Sequence, residues 1–216
     1  MRFKLIVAPI LTVSLFAPVF PAFSQAVPAY KGQPLPLTVG VGPSIYDVDW
    51  GHGLMYGGTV WADFYPKQLP QILNGLGVEV EARDISLHQN CIPPGSSYCP
   101  QKNMRQDTAG GGVIYNWHLN WRLVRGFRLY GKFLVEDGSV DHYLVTPTPS
   151  VPRDQSHANL MVFAPGGGLE YRFFGPLLAR ADYEYQDWGT LLGNTFNPQG
   201  ITVGVAYDFS YPGNPR

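Results

Sequence analysis

Eight separate stretches of this chain alternate, residue by residue, between apolar side chains and polar or tiny ones. Side chains on a strand point to opposite faces with a period of two, so each stretch predicts a strand whose two faces meet different surroundings. In the last, Ile201, Val203, Val205, Tyr207 and Phe209 oppose Thr202, Gly204, Ala206 and Asp208. Just before it, Leu177, Ala179, Ala181, Tyr183 and Tyr185 oppose Leu178, Arg180, Asp182, Glu184 and Gln186. The other six are noisier. Leu37, Val39 and Val41 oppose Thr38, Gly40 and Gly42, and one face of the second carries Tyr56, Gly58, Val60, Ala62 and Phe64. Val78, Val80 and Ala82 oppose Glu79, Glu81 and Arg83; Val113, Tyr115 and Trp117 oppose Gly112, Ile114 and Asn116. Phe127, Leu129, Phe133 and Val135 oppose Arg128, Tyr130, Lys132 and Glu136; Leu169, Tyr171 and Phe173 oppose Gly168, Glu170 and Arg172. Each run approaches the roughly 9–11 residues with which a tilted strand crosses a bilayer.

The start of the chain reads as an address. Arg2 and Lys4 precede an apolar run from Leu5 to Phe16, Pro18 and Pro21 break it, and Ser24-Gln25-Ala26 supplies the small residues of a cleavage site. That order is the pattern of a secretory signal peptide. Cleavage is expected after Ala26, with Ser24 the alternative. The chain then divides into a signal peptide (1–26), a proline-rich periplasmic lead-in (27–36), a barrel (37–209) and a short tail (210–216). No later apolar run reaches the roughly 18 residues of a spanning helix, so a membrane-resident form must close into a barrel.

Connections after the second, fourth and sixth segments (Pro66–Gly75, His118–Gly126, Phe174–Pro176) are compact. Those after the third, fifth and seventh are longer and polar, while Asp47–Gly53 is brief. Tight turns at one end and long loops at the other are the asymmetry of an outer-membrane barrel.

Alternation alone also fits a soluble eight-stranded barrel with its apolar face inward. Three features select the inverse. Glycines crowd the polar face (Gly40, Gly42, Gly110, Gly112, Gly166, Gly168, Gly204), making room for long charged neighbours in a narrow lumen. That face also balances charge. Arg83, Arg128, Lys132, Arg172 and Arg180 stand against Glu79, Glu81, Glu136, Glu170, Asp182 and Glu184, and buried ions require partners. Aromatics gather at segment ends: Phe64, Tyr65, Trp117, Trp121, Phe127, Phe173, Phe174, Tyr207 and Phe209 at one rim, and Tyr46, Trp50, Tyr185 and Trp188 toward the other. Two such girdles match the two interfaces of a membrane. The predicted fold is an all-β, eight-stranded antiparallel up-and-down transmembrane barrel. Charged residues make up only 14%, and a net charge of -1 excludes a nucleic-acid binder, which needs a basic surface.

The alternation, the loop asymmetry and the final strand together resemble the bacterial outer-membrane β-barrel family of OmpA-like type, across residues 37–209. Pro165 to Phe173 followed by Arg180 to Tyr185 looks like that family's penultimate hairpin. Thr202, Gly204, Tyr207 and Phe209 are similar to the last-strand signal read by the barrel assembly machinery. Ser210–Arg216 departs from it, since many members end on the terminal aromatic, and this tail does not look like the peptidoglycan-binding domain some members carry, so cell-wall anchoring is not implied. The resemblance implies a bacterial outer-membrane location, with outer-membrane lipids and the assembly machinery as partners, and a monomer. It leaves activity open, because such barrels do different things.

Cys91 and Cys99, in a Pro/Gly-rich loop of an exported chain, are expected to form a disulfide worth roughly 2–3 kcal/mol. A metal site with His88 is the alternative. His52, His88, His118, His142 and His157 all fall in predicted loops or turns, without metal-ligand spacing. Asp141, His142, Ser156 and His157 raise the alternative of a lipid A-modifying hydrolase or acyltransferase. However, adjacent Ser156 and His157 point apart on an extended chain, whereas nucleophile and base need hydrogen-bond contact. Gly110–Gly112 and Gly166–Gly168 lack the Lys-Ser/Thr of a phosphate loop. A narrow channel is a third possibility, disfavoured because side chains fill an eight-stranded interior. The favoured expectation is a structural or surface-interaction barrel with a lumen charge network and no cofactor, metal or catalytic residue.

Overall fold

The computed structural model describes residues 35–47, 53–66, 69–70, 73–87, 104–118, 126–144, 154–191 and 194–211. The signal peptide, nearly all of the lead-in, both cysteines, His52, His88, Trp50, Trp121 and the last five residues lie outside them.

Among the described residues ten strands form: β1 (Leu37–Asp47), β2 (Leu54–Phe64), β3 (Leu76–Ser86), β4 (Arg105–His118), β5 (Phe127–Leu144), β6 (Asp154–Phe174), β7 (Leu177–Tyr185), β8 (Thr190–Leu191), β9 (Asn194–Thr195) and β10 (Gln199–Asp208). Eight of them close a barrel in the order β1-β10-β7-β6-β5-β4-β3-β2, while β8 and β9 make a two-residue ladder in the β7–β10 connection. Neighbours in the barrel pair antiparallel, and the circuit is completed by β1 against β10, with Val39 opposite Tyr207 and Ile45 opposite Ile201.

The faces fall as the alternation demands. Thr38, Gly40, Gly42, Ser44 and Tyr46 of β1 point inward, and Val39, Val41 and Ile45 outward. At Gly40 and Gly204 the tiny residues admit a ring rather than a charge. An added Cβ would lie 2.3 Å and 2.6 Å from the Trp61 indole. At Gly166 it would come within 3.0 Å of the Lys132 chain, so only part of the glycine face serves ions.

Three expectations need correction. The stretch between the fifth and sixth segments is ribbon, not loop. β5 runs on to Leu144 and β6 starts at Asp154, paired throughout. The alternation fades there because Asp137, Ser139, Asp141, His157 and Asn159 occupy the outward positions while Val140 and Val162 face in. His142 and His157 therefore lie in strands, and His118 ends one. Tyr46 and Trp188 belong to no girdle. Both are inward and buried, Tyr46 on the even face of β1 and Trp188 packed over Gly138.

Candidate functional site

The lumen carries the chemistry. At the tight-turn end Arg128 meets Glu170 at 2.9 Å, and Arg172 pairs with Asp208 while donating to the Gly175 carbonyl at 2.9 Å. Deeper in, the Arg180 guanidinium reaches Glu79 at 2.7 Å, Asp182 at 3.0 Å and Asp63 at 3.2 Å, and donates to the Tyr130 hydroxyl at 2.7 Å. It lies over the rings of Trp61 and Tyr130, a cation–π arrangement. The Lys132 ammonium is met by four carboxylates: Glu81 at 2.6 Å, Asp182 at 2.8 Å, Glu184 at 2.9 Å and Glu79 at 3.2 Å. Arg83 pairs with Glu81 and, at 2.7 Å, with Glu184, donates to Thr59 at 3.1 Å and stacks on Tyr46.

Neutral hydrogen bonds come next. Ser44 joins Thr59 at 2.5 Å and Thr202 at 2.7 Å, and Gln106 donates to Gln186 at 2.5 Å. Toward the long-loop end the interior turns apolar. Tyr46, Met55, Ile85, Leu87, Met104, Val140, Val162, Trp188 and Phe196 form one buried cluster. These rings and aliphatic chains cap the ionic section with an apolar lid.

All eleven charged residues expected on the inner face lie on it. The expected charge network left out Asp63, and left out Asp208 although the alternation of the last segment already put it on the polar face: Asp63 shares its face with Thr59 and Trp61, and Asp208 with Thr202 and Gly204. Their addition undoes the expected charge balance. Among the described residues, Asp63, Glu79, Glu81, Glu136, Asp182 and Glu184 in the buried middle surround Arg83, Lys132 and Arg180. Glu79, Glu81 and Asp182 bring carboxylate oxygens within 4.8 Å of one another, and the Lys132 ammonium already fills the space where they converge.

The outer surface is the reverse of a soluble protein's. Val39, Val41, Val60, Val78, Val80, Val113, Phe133, Val135, Leu169, Ile201, Val203 and Val205 stand exposed around the barrel. At the tight-turn end Phe64, Trp117, Phe127, Phe173, Tyr207 and Phe209 ring the rim, also exposed. Toward the long loops the apolar belt stops at Asp84, Asp107 and Asp137, where Arg105 bridges Asp84 at 2.9 Å and Asp107 at 3.4 Å. An apolar belt of this extent is stable only against lipid, and charges this deeply buried only within a closed wall. The fold is the eight-stranded outer-membrane β-barrel.

No protein-family model matches the chain, and no curated protein matches it by sequence. Solved outer-membrane barrels do. Neisserial surface protein A is 10% identical, with a TM-score of 0.56, over 80% of this chain and 95% of that one. A major outer membrane protein from Thermus thermophilus is 12% identical, with a TM-score of 0.51, over 79% of this chain and 98% of its own. At such identities the shared property is the barrel.

Thr202 and Gly204 face inward near the closing strand pair, and Tyr207 and Phe209 face outward at the rim with ring centroids 4.8 Å apart. His157 Nδ1 lies 2.7 Å from Asp141 Oδ1 on the outer face of the ribbon, and the side chains of His142 and Ser156 lie outside those described. Gly110–Gly112 and Gly166–Gly168 lie within strands, so neither forms a phosphate-cradling turn.

Proposed function

We propose that this chain is a bacterial outer-membrane protein whose barrel anchors a protruding ribbon for contact with other macromolecules. The observation that carries the reading is unequal strand length. β1, β2 and β3 have 11 residues each, whereas β5 has 18 and β6 has 21. At a rise of about 3.3 Å per residue, the eight residues from Asp137 to Leu144 carry the hairpin roughly 25 Å along its strands past the apolar belt. Among the described residues its far edge is open. Pairing of β6 with β7 reaches Gly166 opposite Glu184, a single bridge joins Phe163 to Asp187, and among the described residues Asp154–Val162 has no ladder partner on that side. An open strand edge recruits an extended segment of another chain through main-chain hydrogen bonds. Outer-membrane lipids and the assembly machinery, reading Thr202, Gly204, Tyr207 and Phe209, are the other partners of this reading. The lidded lumen weighs against a channel.

Topology tests the proposal. With Cys91 and Cys99 changed to serine, Asn159→Cys is expected to react on intact cells with a membrane-impermeant maleimide, and Val205→Cys to stay unlabelled. The same protein, taken from an outer-membrane fraction, should migrate differently on a gel before and after boiling. Labelling of Val205→Cys with Asn159→Cys silent would reverse the assignment.

A further inference from the structure

A cavity of about 210 Å³ opens at the tight-turn end of the lumen. Its walls come from the chain entering β1, the β2–β3 connection, the inner faces of β4 and β5, and the chain leaving β10. Main-chain hydrogen bonds hold these walls together. The Tyr65 amide donates to the Pro36 carbonyl at 3.0 Å, the Asn116 amide to that of Gly75 at 2.8 Å, and the Phe209 amide to that of Leu37 at 2.9 Å. Gly75 takes a φ of 108°, a conformation that glycine adopts without strain, and sets the corner beside Asn74. At Gly77 an added Cβ would lie 2.6 Å from the Tyr65 ring, so the missing side chain is the space that ring uses. The cavity is thus built by the fold before any ligand arrives.

Its charged groups are already paired. Arg128 meets Glu170 at 2.9 Å, while Asp208 pairs with Arg172 and accepts from the Ser210 amide at 2.9 Å. Neither an anion nor a cation finds an uncompensated counter-charge here. The rest of the polar lining is hydroxyl and amide, from Thr38, Tyr65, Asn74 and Asn116. Each of these groups both donates and accepts. Two of them hold a shielded atom with no hydrogen-bond partner among the described residues, the Tyr65 hydroxyl and Asn116 Oδ1, and Asn116 is only 3% exposed. Folded proteins seldom leave such atoms unpaired. Pro36 and Pro66 add apolar ring surface beside them.

We infer that this cavity binds one ring of a neutral sugar. Neighbouring sugar hydroxyls each donate and accept, which matches the lining, and the C–H faces of the ring match the two prolines. Size sets the limit. A space of 210 Å³ is the liquid share of about seven water molecules, below the roughly 300–1,000 Å³ of pockets for drug-sized ligands. One ring fits, and a longer glycan inserts only its end. The cavity exists whichever way the barrel is inserted; that it faces the periplasm rests on the orientation proposed above.

Saturation-transfer NMR on the full chain tests this, with the protein refolded in a phosphocholine detergent because glycoside detergents are themselves sugars. Glucose and N-acetylglucosamine serve as free rings, a trimer of N-acetylglucosamine as a glycan end, and gluconate and glucosamine as charged counterparts. Transfer to the neutral rings is expected, saturating in the millimolar range, and weaker with either charged counterpart. Tyr65→Phe and Asn74→Ala should each weaken binding about fivefold, the effect of one lost hydrogen bond, with gel mobility before boiling unchanged. Asn116→Leu should abolish it. A trimer that binds more tightly than the single ring identifies a glycan end as the occupant, and equal affinity a free sugar. Absence of transfer to every neutral ring overturns the inference. Equal binding of gluconate or glucosamine overturns it too, and so does undiminished binding in both Tyr65→Phe and Asn74→Ala, which would put the sugar elsewhere on the barrel. Should Asn116→Leu fail to fold, the other two variants decide. None of these readouts depends on membrane orientation, so their failure is distinguishable from failure of the labelling test above.

Discussion

Lys132→Met is expected to destabilise the barrel by about 3–5 kcal/mol, the range for removing one side of a buried ion pair. The reason is its coordination. One ammonium lies within 3.2 Å of four carboxylates, contributed by β3 and β7, while Lys132 itself stands on β5. Methionine preserves much of the volume but leaves those four acids with only Arg83 and Arg180 among them. Urea unfolding of the micelle-refolded protein, followed by gel mobility without boiling, measures the loss. Phe133→Ala is the natural comparison. Its neighbouring side chain faces outward and is 45% exposed, so its removal leaves no buried charge unpaired and should cost less. Equal midpoints for the two variants would mean that the ionic core does not hold the wall together.

The second large effect concerns the outer face. Val80→Arg, in the middle of the apolar belt, is expected to cost about 2–4 kcal/mol in a bilayer. The same cation at Asp84, two outward positions along β3 at the polar margin, should cost no more than about 1 kcal/mol. That smaller figure includes loss of the exposed Asp84–Arg105 pair, since such surface pairs contribute little. Stability in lipid vesicles against urea gives both numbers. A reversed order would mean that lipid does not cover the Val80 side of the wall.

Much of this was legible because a membrane barrel writes its two environments on alternate residues. The strand pair Leu177–Tyr185 and Gln199–Asp208 keeps a continuous apolar face from Ile201 to Tyr207 and from Leu177 to Tyr185, and its faces read as they stand. The upper half of β5–β6 was illegible for the opposite reason. Above the lipid, Asp137, Ser139 and Asp141 face water outside while Gly138 and Val140 face the lumen. The contrast that marks a strand inverts there, and a polar strand reads as a loop. Tyr46 and Trp188 were misplaced because closeness to a segment end says nothing about which way a ring points. Parity does, and it puts Tyr46 inside. Parity also marked Asp63 as a lumen acid, in a segment whose obvious signal was its apolar face. The individual ion pairs were beyond reach, because Arg180 finds Asp63 across 117 positions of sequence, a meeting fixed only by closure of the wall.

The pairing of β1 with β10 has a consequence for biogenesis. Val39 finds Tyr207 only after nearly the whole polypeptide has been made, so the first strand waits with one flank of amide and carbonyl groups unsatisfied. Until the last strand arrives, no partial product can shield its backbone from hydrocarbon. A truncated or stalled copy therefore cannot settle in the membrane. Completeness becomes a physical condition for insertion, enforced by the circular order of the strands.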